Sequence, residues 1–120
     1  IELLDNLPQK KIKKLLNKSK LLIHTSQFET FGLVATEANA MGVPVLTTNK
    51  GSLMEIIQNN SNGYLTDNLL DANVNSFVKN LLYKNEIFEE ISFSCIEKSK
   101  KYDWLKTANA LEILYKNLIR

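Results

Sequence analysis

The chain has 120 residues, 44% hydrophobic and 23% charged, the composition of ordinary globular material and the length of at most one domain. A formal net charge of +2 is too weak to argue for nucleic acid or an anionic surface as partner, and a single cysteine, Cys95, excludes an intrachain disulfide. No apolar run reaches the roughly 20 residues that a membrane-spanning helix needs.

In chain order, "IELL" reads as the end of a strand. Pro8 then marks a helix start, and Ile12, Leu15 and Leu16 recur at helical spacing opposite a lysine-rich face. That basic run from Lys10 to Lys20 is read as the solvated side of an amphipathic helix, with attraction to an anionic membrane face as the alternative. "KLLIHTS" is a short apolar run of buried-strand length. Residues 31–41 are Ala-rich and helical in pattern, closed by Gly42 with Pro44 beyond. "PVLTT" is a second buried strand, and "SLMEII" opens with a capping-box pattern, Ser52 and Glu55. "NNSNGYL" has turn chemistry at Asn62-Gly63, leading into a short extended piece. Asp71 is a helix cap before Val74, Phe77, Val78, Leu81 and Leu82. Two further helical segments follow. In the last, Trp104, Leu105, Ala108, Leu111, Leu114, Tyr115 and Leu118 share an apolar face that is expected to pack onto the sheet.

Strands alternating with helices in the first half predict an α/β fold, a Rossmann-like parallel sheet with flanking helices. No repeat or low-complexity linker divides the chain. The first residues show no initiator Met, basic leader or cleavage site, so the chain is expected to be a piece of a longer polypeptide. Asn17-Lys18-Ser19 and Asn59-Asn60-Ser61 match the glycosylation sequon and are read as chance matches in an Asn-rich chain.

The stretch "SQFETFGLVATEANAMGVPV" carries the chemistry. In open parallel sheets ligands sit beyond the carboxyl ends of the strands, where helix N-termini offer unpaired N–H groups suited to phosphate. Gly32, at the helix start, has no side chain to keep a ligand from the backbone. Glu37 lies roughly 8 Å further along the helix axis, at 1.5 Å per residue. A diphosphate at the helix start, a ribose beside Glu37 and a sugar beside Glu29 fit that spacing, because ionised carboxylates accept hydrogen bonds from diols. The competing reading is that both glutamates only favour the helix through its dipole. His24, the one histidine, ends a strand near this edge and is read as structural, with ligand contact as the alternative. Cys95, among Phe88, Ile91 and Ile96, is read as core filling. No Cys/His grouping has metal-site spacing.

These residues resemble the signature of the retaining GT-B glycosyltransferases called group 1, or family 4. The matching positions are Glu29, Phe31, Gly32, Glu37, Ala38, Gly42, Pro44 and Val45. "NKGSLMEII" is similar to the family's Gly-Gly-x-x-Glu segment, "NSNGYL" to its Asn-Gly-x-Leu turn, and "KYDWLKTANALEILYKNLI" to its closing helix. The resemblance runs through nearly the whole chain. It implies that residues 1–120 are the later part of the nucleotide-sugar-binding C-terminal domain, without the N-terminal acceptor domain. It further implies a hexosyltransferase that moves a hexose from a UDP- or GDP-linked donor to a lipid, glycan or other acceptor, usually without a metal and without a separate cofactor. Glu29 would contact the sugar hydroxyls as the catalytic-site carboxylate. The backbone of Thr30, Phe31, Gly32 and Leu33 would meet sugar and diphosphate, and Glu37 would bind the ribose. Val34 and Thr36 are neighbours of that set. Ser52 stands where the family commonly has a second Gly, and Met54 where it has Pro, which leaves open any role for Gly51. The family's diphosphate-gripping Arg and Lys precede residue 1, so this piece alone is expected not to turn over. The alternatives are a non-catalytic Rossmann-like module that binds a nucleotide or glycan, and a structural domain. The implied location is the cytoplasm, with peripheral association of the full enzyme at the inner face of a membrane as the variant; nucleic acid is not an expected partner.

Overall fold

A computed structural model describes residues 1–119 of the chain. Three strands, β1 (Leu22–His24), β2 (Val45–Thr48) and β3 (Gly63–Thr66), form a parallel sheet in the order β1-β2-β3. Its register pairs Leu22 with Val45 and Val45 with Gly63. The helices are α1 (Gln9–Leu16), α2 (Leu33–Ala40), α3 (Leu53–Ile56), α4 (Ala72–Tyr83), α5 (Asn85–Ser99) and α6 (Trp104–Leu118), with a 3-10 turn at Lys100–Tyr102 before the last. The predicted Rossmann-like α/β arrangement is therefore the observed one.

Two cores hold the layers together. Strand alternation sends Leu22, Val45 and Leu65 into the first, with Leu16, Ala35, Ala38, Leu53, Ile56 and Ile57. Leu21 and Tyr64 enter the second, with Phe77, Leu81, Ile91 and Cys95. Tyr64 and Phe77 pack with ring centroids 5.2 Å apart. Leu53 and Leu81 are wholly buried, each contributing about 1.5–3 kcal/mol through apolar surface removed from water.

The end of α2 explains the Ala-rich run closed by glycine. Gly42 has φ +73°, and the Val43 amide donates to Ala38 O at 2.9 Å while the Gly42 amide donates to Asn39 O at 2.9 Å. This paired closure uses the left-handed conformation that glycine adopts without strain. A β-carbon at Gly42 would also lie 2.5 Å from Ser92 Oγ, so the glycine lets α5 approach α2.

Beneath that turn lies a buried amide pair. Asn39 Nδ2 donates to Val43 O and to Asn62 O, both at 3.1 Å. Asn62 Nδ2 donates to Asn39 Oδ1 at 2.7 Å and to Ile56 O at 2.9 Å, and Asn62 Oδ1 accepts the Gln58 amide at 2.7 Å. The turn expected around Asn62-Gly63 forms over residues 60–62, with Asn60 at φ +59°. Asn62 is nonetheless only 1% exposed, because its amide is turned inward to Asn39.

Four expectations need correction. The opening "IELL" forms no strand and is exposed. The capping box at α3 does not form: Ser52 has helical backbone angles, makes no side-chain cap, and turns its hydroxyl to Glu29 O at 3.4 Å. The helix predicted from residue 31 starts two residues later, because Gly32 takes the left-handed cap position. Most consequentially, α6 does not bury its apolar face on the sheet. Every residue from 104 to 118 is exposed, Trp104 at 81%. The periodicity that identified the helix specifies an apolar face but not what covers it. Asp71 caps α4 as expected, accepting the Asn73 amide at 2.7 Å, and Asp103 caps α6 in the same manner at Leu105.

Two expected outcomes follow from these contacts. Asn62→Ala removes partners from Ile56 O, the Gln58 amide and Asn39 at once, and is expected to cost about 2–4 kcal/mol in urea unfolding; a loss below about 0.5 kcal/mol contradicts the role of the pair. Cys95 is buried, and desolvation pushes its thiol from 9.0 up to about 12, against a smaller opposing effect of a backbone hydrogen bond. The unfolded thiol therefore ionises first, so stability is expected to fall as pH rises from about 9 towards 12. Comparing unfolding midpoints of the parent and Cys95→Ala at pH 8 and pH 10 checks the sign: the parent should lose more.

Candidate active site

The candidate site stands at the carboxyl edge of the sheet, and β2 builds its floor. Thr47 Oγ1 donates to His24 O at 2.7 Å, and Thr48 Oγ1 donates to Ser26 O at 2.6 Å. These two bonds fix the chain as it leaves β1. Ser26 Oγ then donates to Phe28 O at 2.8 Å, turning the loop, and Lys50 Nζ reaches Gln27 Oε1 at 2.7 Å from the opposite loop. The "LTT" of β2 thus serves the site as well as the sheet.

Glu29 sits at the end of this anchored loop, half-buried. Its Oε1 accepts the Gly32 amide at 3.2 Å, while its Oε2 lies 3.6 Å from His24 Nε2. The carboxylate therefore does two things: it caps the positive end of α2, and it faces the imidazole. His24 Nδ1 is buried and has no partner among the described residues. A lone acceptor is cheaper to bury than a lone N–H, since a carbonyl-like lone pair is more often left unsatisfied than a donor. Nε2, the nitrogen that faces Glu29, is the one placed to carry a proton toward that carboxylate. A carboxylate has about four lone-pair sites, so Glu29 keeps acceptor capacity for a ligand after both contacts.

Gly32 is needed here, though not for the reason its lack of a side chain suggested. Its φ is +81°, and a β-carbon would lie 2.9 Å from Ile56 Cδ1 and 3.1 Å from Leu53 Cδ2. The space that a side chain would occupy belongs to the core, and the Gly32 amide is already held by Glu29. Gly32 O begins the helix by accepting the Thr36 amide at 3.0 Å. The amides of Leu33 and Val34, next in line, find no acceptor among the described residues, as is general for the first turn of a helix. The Ala35 amide is likewise without one, but its residue is wholly buried, so the amides of the exposed Leu33 and Val34 are the free donors open to a ligand.

Glu37, in the second turn of α2, is placed apart from Glu29. It lies on the ridge between two clefts and lines both. The larger, about 570 Å³, is bounded by Phe31, Leu33, Thr36, Lys101, Tyr102 and Trp104. The smaller, about 260 Å³, lies between α1 and α2. Glu37 Oε1 accepts Gln9 Nε2 at 2.8 Å across the smaller cleft. The structure thus joins Glu29, Gly32 and His24 in one cluster and puts Glu37 in a second. Phe31 meets Tyr102 edge-on at 6.1 Å and borders the larger cleft with Leu33, while Thr30 and Val34 are exposed, and the Thr30 hydroxyl has no hydrogen-bond partner among the described residues. Gln9 was missed in the sequence reading. Its only signal was a polar residue directly after Pro8 at a helix start, which carries no mark of a partner 28 positions away.

Among the described residues no helix is long and apolar enough to cross a membrane.

Comparison with known proteins gives this geometry a context. Residues 1–101 match the family model described as "Glycosyl transferases group 1". An uncharacterised glycosyltransferase of Methanocaldococcus jannaschii is 29% identical over 118 residues, which is 98% of this chain and 34% of the relative. The D-inositol 3-phosphate glycosyltransferase of Corynebacterium efficiens is 29% identical over 115 residues, 96% of this chain and 27% of the relative. Among solved structures, Anabaena Alr3699/HepE in complex with UDP has a TM-score of 0.76 at 23% identity, covering 87% of this chain and 29% of its own, which is a likeness of fold. The chain spans about a third or less of the length of these proteins. With a parallel α/β sheet of the same fold and a family match over 101 of its 120 residues, the chain belongs to the group 1 glycosyltransferases.

Proposed function

We propose that this chain is the later part of the donor-binding domain of a retaining glycosyltransferase that moves a hexose from a UDP- or GDP-linked donor to a lipid, glycan or other acceptor. The observation that carries this reading is the start of α2 at the carboxyl edge of the sheet. There a carboxylate is held at a left-handed glycine, free amides follow it, and a second carboxylate stands one turn further on. HepE has the same fold and was solved with UDP, and with UDP-glucose in a further structure, which supports a nucleotide sugar as ligand.

On this reading Glu29 accepts hydrogen bonds from the donor sugar. The backbone of Thr30, Phe31, Gly32 and Leu33 faces sugar and diphosphate, with the amides of Leu33 and Val34 as the free donors. As the glycosidic bond breaks, negative charge grows on the departing diphosphate. Amides and a helix dipole aimed at that charge stabilise it in the transition state. Glu37 accepts hydrogen bonds from the ribose. The basic groups that neutralise the rest of the diphosphate, and the groups that bind acceptor, belong to other parts of the polypeptide. So assigned, the reaction requires no metal ligand from this chain, and the enzyme works in the cytoplasm, at or near a membrane when its acceptor is a lipid.

Titration calorimetry of the whole polypeptide with UDP and with GDP tests the reading. One nucleotide should bind, and Glu37→Ala should weaken it by about tenfold or more, the worth of hydrogen bonds to a charged acceptor. Glu29→Ala should leave UDP or GDP binding within about threefold while lowering sugar transfer by about a hundredfold or more. Unchanged nucleotide affinity in Glu37→Ala contradicts the ribose assignment. Tight nucleotide binding without transfer to any acceptor favours the non-catalytic binding module instead.

A further inference from the structure

We infer that Gln9 is a positioning residue for the ribose site: it orients Glu37 and places the ribose diol on the α1 side of that carboxylate. The inference rests on the reading of Glu37 as the ribose acceptor and adds to it a residue and a direction. The contact is well formed. Gln9 Nε2 to Glu37 Oε1 measures 2.8 Å, within the range of charge-assisted hydrogen bonds. Gln9 is the first residue of α1, and its backbone is set by Pro8, whose carbonyl accepts the Lys11 amide at 2.8 Å. α1 in turn is anchored by Leu16, which is buried in the first core, with Ile12 packed against that core. The amide therefore comes from a fixed base.

The chemistry of the pair fits a diol. Among the described residues no cation lies within ion-pair distance of Glu37, although Lys10 and Lys13 border the same cleft. A lysine in contact would satisfy the carboxylate with a charge that a neutral hydroxyl has to compete against. A neutral amide orients one oxygen and leaves the charge and most of the lone pairs available. Gln9 also keeps a second N–H and its own carbonyl oxygen. A ribose hydroxyl in the α1–α2 cleft can donate to Glu37 and accept from Gln9 in the same pose. Both residues line that cleft. The exposed position of Gln9 means that its replacement disturbs no packing.

Calorimetry on the whole polypeptide with UDP and GDP, and with their 2′-deoxy forms, tests this. Gln9→Met keeps length and neutrality but has no donor. It is expected to weaken the bound ribonucleotide by about tenfold, with the 2′-deoxy form changed by less than about twofold, so discrimination between the two collapses. Gln9→Glu, which sets a like charge beside Glu37, is expected to weaken the ribonucleotide at least as much. Ribonucleotide affinity unchanged in Gln9→Met overturns the inference, as does an equal loss for both nucleotide forms, the mark of a merely structural contact. If Glu37→Ala weakens binding while Gln9→Met does not, this inference fails and the proposed function stands. If Glu37→Ala leaves binding unchanged, or the unaltered polypeptide binds neither nucleotide, the ribose assignment itself fails and this inference with it.

Discussion

The hydrogen-bonded pair of Asn39 and Asn62 connects the parts of this fold that have to be held in register. Asn39 belongs to α2, Asn62 precedes β3, and through Asn62 the pair reaches the end of α3 at Ile56 and Gln58. Two buried amides cost free energy unless their donors and acceptors are met, and here every polar atom of both side chains has a partner. A satisfied polar network of this kind admits few alternative arrangements, because a shift of one helix would leave several buried groups unpaired together. It clamps the C-terminal half of α2, the helix that carries Glu37, while Gly32 packs on Leu53 and Ile56 at the other end.

α2 is short, so its setting matters more than its intrinsic stability. Eight residues form a marginal helix in water, and this one persists because Ala35 and Ala38 are wholly buried and its finish is closed. The Gly42 turn closes that end, while at the start Glu29 holds the Gly32 amide and leaves the amides after it free. The Glu29 side chain therefore has a structural part beside the sugar contact proposed for it, since the carboxylate that holds the Gly32 amide also faces His24. Thr47 and Thr48 bring the strand edge into the same assembly by holding the loop that presents Glu29. The two carboxylates are thus served by different neighbours, His24 and Gly32 for one, Gln9 for the other.

Much of this was readable in the chain because the signals are local. The Ala-rich helix closed by Gly42, the paired strands "LLIH" and "VLTT", and the Asp71 cap depend on spacing within a few residues. The places where the reading failed share one cause. "SLME" has the letters of a capping box, but Ser52 is drawn to the Glu29 carbonyl, a partner 23 residues away. The apolar face of α6 has the period of a packed helix, yet it lies exposed because a periodic face does not name its partner. In each case a contact distant in sequence, or the lack of one, outweighed a local preference.

By itself the sequence determined the class of fold, the alternation of its strands and helices from α1 onward and the two glutamates flanking a glycine. Side-chain periodicity, capping and glycine closure are properties of short segments, and short segments carry them unaided. Only the tertiary structure decided where those glutamates stand and what surrounds them. It put Glu29 and Glu37 in separate clusters, filled the space beside Gly32 with Leu53 and Ile56, and brought Gln9 to Glu37 from another helix. Those outcomes depend on which surfaces meet when α1, α2 and α3 pack, and that is set by the shared core and the buried amide pair rather than by any one stretch of residues.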